Sequence, residues 1–146
     1  MLYRVIILLI SSVIFALILS GLNYVPQGSR MENVYYFSFF ETFTFALVYS
    51  APVYVLFGLP VSILLDRWLD RIKNGSKYFI YSAKMTSYSA AGAVAGFIFY
   101  IAVNQGITQS YFNAYIASMV YGILAANIFF HLWYFYQHKK NSSSSI

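Results

Sequence analysis

Residues 57–73 read FGLPVSILLDRWLDRIK, and how this stretch divides decides the fold. Its first half is apolar and interrupted by Pro60. Its second half carries Asp66, Arg67, Asp70, Arg71 and Lys73. Two carboxylates four residues apart share one face of a helix. They would either hold a divalent cation or mark the point where an apolar helix leaves a membrane. Upstream, the apolar run reaches back to Phe43, so residues 43–65 form one segment between Glu41 and Asp66. Its length meets the roughly 20 residues that a bilayer crossing requires.

Three further segments of the same kind lie around it. Residues 2–22 carry Arg4 as their only charge, residues 78–103 carry Lys84 near their start, and residues 111–136 carry none unless His131 is protonated. Composition agrees. Of 146 residues, 60% are hydrophobic and 9% charged, against about 25% charged in soluble domains. A soluble fold of this size has too much surface for its volume to hide so many apolar side chains. The absence of cysteine excludes disulfides and thiolate metal sites. The 15 tyrosines and 14 phenylalanines suit bilayer interfaces and helix packing.

The expected fold is therefore all-α: a polytopic integral membrane protein with four transmembrane helices in two hairpins. It forms a single domain over residues 1–140, with a disordered Asn-Ser tail at 141–146. The short break around Asn104-Gln-Gly makes the last two spans a hairpin. A signal peptide is the rival reading of residues 2–22. Against it stand a single basic residue, a run longer than about 15 residues and no Ala-x-Ala site. No internal repeat of the kind that builds transporters is found.

Orientation follows from the basic residues. With four spans, Arg4, Arg67, Arg71, Lys73, Lys77, Lys84, Lys139 and Lys140 fall on one side and Arg30 alone on the other. The positive-inside rule then places both termini in the cytoplasm (N-in/C-in), with Arg67, Arg71, Lys73, Lys77, Lys139 and Lys140 as topology anchors beside anionic head groups. That placement accounts for the net charge of +5 without a nucleic-acid partner.

Several features within the spans invite a function. Gly92 and Gly96 in the third span, and Ala114, Ser118, Gly122 and Ala126 in the fourth, are small residues at steps of four, which mark helix contacts in lipid. The short hairpin favours packing of these two spans on each other, with a homodimer as the alternative. Pro52, Gly58 and Pro60 interrupt the second span. Each proline frees a carbonyl one turn earlier, at Val48 and Leu56, giving a static kink or a hinge. Intramembrane ionisable residues are functional candidates by default. Glu41 and His131 sit at opposite ends of about 30 Å of helix and cannot form a dyad. Asp66, Lys84, Asn127 and His131 share a depth near the inner end, where they line a small polar site or anchor the interface.

The pair Asp66 and Asp70 is a poor catalytic centre. The chain holds 4 acidic residues in all, and two carboxylates alone make a weak magnesium site. Arg67 and Lys73 flank Asp70 at helical spacing, and Leu65, Trp68, Leu69 and Ile72 form an apolar stripe beside them. This is an amphipathic extension lying at the interface. No metalloprotease, nucleophile-elbow or P-loop motif is present. No catalytic residue, cofactor or metal is expected.

The pattern Pro52-x-Tyr54-x-x-x-Gly58-x-x-x-Ser62-x-x-x-Asp66, together with length and layout, resembles a family of small uncharacterised four-span membrane proteins from Bacillus-type bacteria. The resemblance implies a bacterial cell membrane location and supplies no activity, cofactor or catalytic residue. The expected function is that of a non-enzymatic helix-packing or accessory protein of the cytoplasmic membrane, with the bilayer, a second copy or another membrane protein as partner. The alternatives are a small oligomeric transporter or channel using the kinked second span, and a lipid-modifying enzyme built on Asp66 and Asp70.

Overall fold

Ser38 sets the start of the second span. Its hydroxyl accepts from the Glu41 backbone N–H at 3.3 Å, and the Glu41 carboxylate accepts from the Ser38 N–H at 2.7 Å. This reciprocal capping box satisfies two donors that a helix start leaves open, so the helix begins at Phe39, earlier than hydropathy alone suggests. It runs on to Leu69, through the start of the expected extension, and the charge of Asp66 is matched inside the protein.

The computed structural model describes residues 1–69, 76–104 and 112–143, and these are all-helical apart from turns and loops. The elements are α1 (Leu2–Leu22), α2 (Phe39–Val53), a π-helical segment (Tyr54–Gly58), α3 (Leu59–Leu69), α4 (Lys77–Asn104) and α5 (Phe112–Ser143), with a short 3-10 turn at Gln27–Ser29. Four helical segments among the described residues are long and apolar enough to cross a membrane: Leu2–Leu22, Phe39–Leu69, Tyr78–Val103 and Asn113–Lys140. The chain is a multi-pass membrane protein. Residues 141–143, expected to be disordered, continue α5. Asp70, Arg71, Lys73 and residues 144–146 lie outside the described residues.

The second span is one continuous 31-residue path with a change of pitch in the middle. Pro60 has no N–H to return to Leu56, and its ring would press on that turn. The five residues ahead of it, Tyr54–Gly58, widen into π geometry, and the Leu59 N–H reaches back to the Tyr54 carbonyl. The mismatch is absorbed by a wide turn, one of the known ways a helix is disturbed without breaking. Pro52 lies within α2 without ending it.

Packing follows the small residues. A β-carbon added to Gly92 would lie 2.3 Å from the Gly122 carbonyl oxygen, and one added to Gly96 would lie 2.2 Å from that of Ser118. The two backbones therefore touch, and Ser118 Oγ donates to the Gly96 carbonyl across the seam at 2.7 Å. The glycine and small-residue stripes are spent within the α4–α5 hairpin. A second such stripe, not singled out from the sequence, is Leu8, Ser12, Ala16 and Ser20 of α1, all essentially fully buried. The serine hydroxyls there are satisfied by carbonyls of the same helix, Leu9 for Ser12 and Ala16 for Ser20.

Through these faces α1 packs on α2, α3 and α5, while α4 packs on α5 and α3. The ring of helices is thus closed at the end where α1 begins and α5 finishes. Toward the opposite end, α2 leans on α1 and stands apart from α4.

Candidate functional site

Asp66 is the carboxylate that these helices place inside the bundle. It lies on α3, 8% exposed. Arg4 of α1 forms an ion pair with its Oδ2. Trp133 of α5 donates its indole Nε1–H to the same oxygen at 3.0 Å. Tyr88 of α4 donates its hydroxyl to Oδ1 at 2.9 Å and also lies 3.3 Å from the Ser62 carbonyl. The Arg4 guanidinium sits 4.4 Å from the centre of the Trp133 ring, so one aromatic side chain both hydrogen-bonds the anion and faces the cation. Each carboxylate oxygen is engaged, by donors from three other helices. The three donors tie α3 to α1, α4 and α5 through one carboxylate.

The sequence groups Asp66 with Lys84, Asn127 and His131. In the structure the hydrogen bonds of Asp66 go to Arg4, Tyr88 and Trp133, and Asn127 and His131 belong to a second network between α4 and α5. His131 Nδ1 lies 2.7 Å from the Asn127 carbonyl and its Nε2 lies 3.0 Å from the Tyr81 hydroxyl. A carbonyl only accepts, so Nδ1 carries a proton; in the neutral ring Nε2 accepts from Tyr81. Asn127 donates its side-chain amide to Ser89 Oγ at 2.9 Å and to the Ile123 carbonyl at 2.8 Å. Lys84 lies on α4 between Tyr81 and Tyr88. Glu41 is held at the opposite end by Ser38 and by the Tyr35 hydroxyl at 2.9 Å, remote from His131. Among the described residues no three His, Cys, Asp or Glu side chains gather as a metal site would need.

Arg4, Tyr88 and Trp133 are the residues missed by reading the sequence. Arg4 is the only charge of its span, and positive-inside counting already puts it at the same end as Asp66; that was the available signal. Nothing in the spacing of Tyr88 or Trp133 distinguishes them from the other aromatics.

The second feature is the gap left between α2 and α4. It encloses a cavity of about 290 Å³. Ala46, Ser50, Tyr54, Gly58 and Ser62, at steps of four along the second span, form one wall, and α4 presents Ala91, Gly92, Ala95 and Gly96 opposite. Phe15 and Leu8 of α1 close the back, and Tyr88, whose hydroxyl holds Asp66, closes the lower end. Tyr49, Phe57, Phe99 and Tyr121 also line the cavity and stand exposed. Pro52, Gly58 and Pro60, the expected kink or hinge, all lie in or beside the segment whose wide turn forms this wall. The chain matches no model of a known protein family, no curated protein and no solved structure.

Proposed function

We propose that the chain is a non-enzymatic accessory protein of a bacterial cytoplasmic membrane, with both termini in the cytoplasm, working through its helix surfaces on a membrane partner or on a second copy of itself. The observation that carries this reading is the engagement of Asp66. The one aspartate described within the spans is committed to Arg4, Tyr88 and Trp133, so its role is to hold α1, α3, α4 and α5 in register. Buried ionic groups of this kind serve specificity of arrangement better than they serve stability.

Cross-linking mass spectrometry on native membranes tests the reading. A reproducible partner, or a cross-linked pair of identical peptides, supports it. A lipid product lost in Asp66→Asn, with helicity and thermal stability retained, overturns it in favour of the lipid-modifying reading. Reporter fusions at the C-terminus test the orientation, and an external signal reverses it.

The cleft beside the proline-flanked π segment favours a second reading, a small oligomeric transporter or channel. Flux into liposomes that responds to Pro60→Ala supports it.

A further inference from the structure

The helices are unequal in length when measured from the Asp66 tie. Arg4 and Asp66 are paired, so α1 and the second span share one starting level. At roughly 1.5 Å per residue, α1 has about 27 Å left before it ends at Leu22, and the second span has about 40 Å between Asp66 and its first residue, Phe39. Tyr88 bonds the same carboxylate, and from there α4 has about 24 Å to Asn104, its last described residue. The length of α1 matches a hydrocarbon core of about 30 Å. The second span exceeds it. Its far end is not an apolar end that can sink into lipid, because the Glu41 carboxylate stands there, exposed and held by Ser38 and Tyr35.

A span longer than its bilayer tilts or kinks, and here one part alone is free to do so. Below the π segment, α3 is fixed by Arg4, Tyr88 and Trp133. At the start of that segment Tyr54 is held to the Ala125 carbonyl. Above it, α2 buries no residue, rests on α1 and stands apart from α4. The joint between the two parts lies between Pro52 and Pro60, neither of which has an N–H to give the preceding turn, and it is wound as a wide turn. Across the gap, Ala46 of α2 and Ala91 and Ala95 of α4 are small, as helix faces that approach closely in lipid are. We infer that α2 is an arm whose tilt follows the thickness of the bilayer. In a thin membrane the excess length is taken up by leaning away from α4, which holds the cleft open. In a thick one the arm stands straighter, its small residues approach those of α4, and the cleft shuts. The partner that works the arm is the bilayer itself, and the cleft needs no occupant.

The test is pulsed electron paramagnetic resonance on the full chain in liposomes of dimyristoleoyl-, dioleoyl- and dierucoyl-phosphatidylcholine, in order of increasing thickness. One labelled pair, at Phe45 and Ile98, spans the cleft; a control pair, at Ile98 and Val120, spans the α4–α5 seam, and all three positions are exposed. The expected result is a Phe45–Ile98 distance that shortens from the thinnest bilayer to the thickest, while the control distance stays constant. A change of about 20° in tilt, acting over the roughly 14 Å of helix from Tyr54 to Phe45, moves the label by about 5 Å. Ala95→Phe, at an exposed position on the α4 wall, props the cleft and keeps the long distance in every bilayer; Ala46→Phe does the same from α2 if the first variant fails to fold. A Phe45–Ile98 distance equal in all three bilayers, or one that shortens just as much in a folded propped variant, overturns the arm. So does a control distance that changes in step, since the whole bundle then deforms.

Discussion

The two halves of the second span share one helical path and behave as different structures. Before the π segment, α2 buries no residue. After it, α3 buries Ser62, Asp66 and Leu69. Both halves are apolar and both carry small residues at steps of four, so neither composition nor spacing separates them. The difference lies in polar ties. In lipid, apolar side chains gain little by leaving hydrocarbon for protein, so association rests on close packing and hydrogen bonds. The lower half has Asp66 bonded to three neighbouring helices, and just above it Tyr54 donates to the Ala125 carbonyl of α5. The upper half has the Ser50 hydroxyl, buried and without a partner. One half is fastened and the other leans, and the cleft is the result.

The largest break in that contrast comes from removing the fastening. Asp66→Leu leaves Arg4 buried without its anion, and removal of one partner of a buried pair costs about 3–5 kcal/mol. Arg4→Met in the same chain returns a large part of that loss, because the uncompensated charge goes with it. Reversible unfolding in mixed micelles measures both variants. A single variant as stable as the natural chain shows that Asp66 fastens nothing. Tyr88→Phe ranks next. It removes one donor to a charged acceptor, a change of about 1.5–3 kcal/mol, and it loosens α3 from α4 while the α4–α5 glycine seam stays shut. An equal loss from Ser50→Ala would erase the distinction between the halves, since the Ser50 hydroxyl bonds nothing within the protein; the expected change there is within about 0.5 kcal/mol.

Much of this fold is legible in the sequence, and the boundary of legibility is physical. Span number follows from run length, since a bilayer imposes one length on every crossing. The α4–α5 seam follows from Gly92, Gly96, Ser118 and Gly122, because spacing by four names a face and the short hairpin names its partner. The α1 stripe was equally available in Leu8, Ser12, Ala16 and Ser20, though serines in a strongly apolar run read as incidental. The Asp66 tie was not available. Finding it requires the rotation of four helices about their own axes, and a linear pattern fixes which residues share a face without fixing what that face meets. Arg4 reads equally well as an interfacial anchor or as a buried partner until α1 is placed beside α3. The cleft was hidden for a similar reason. Pro52 and Pro60 predict a disturbance, but the sequence does not say that it takes the form of a π turn or that a gap opens above it.

Pro60→Ala makes a small change in stability and the sharpest test of how the two halves are joined. The substitution restores an N–H to the turn that Leu56 closes and removes the ring that crowds it, so the reason for the wide turn disappears. Proline costs about 3 kcal/mol in an ordinary helix, but here the π segment already absorbs the strain, and the expected gain is below about 1 kcal/mol. The rotation of α3 is fixed by Asp66 and that of the segment's start by the Tyr54–Ala125 bond. Closing the turn to α geometry therefore has to move α2, and one residue of register is roughly 100° of rotation at 3.6 residues per turn. Ala46 and Ser50 would swing away from α4. Spin labels at the exposed positions Phe45 and Ile98, introduced as cysteines into a chain that has none, read that movement as a changed distance across the cleft. An unchanged distance means that the wide turn is held by the ties on either side of it, not by Pro60. It would then be a fixed part of the wall rather than a hinge, and the openness of the cleft would trace to Asp66 and Tyr54 alone.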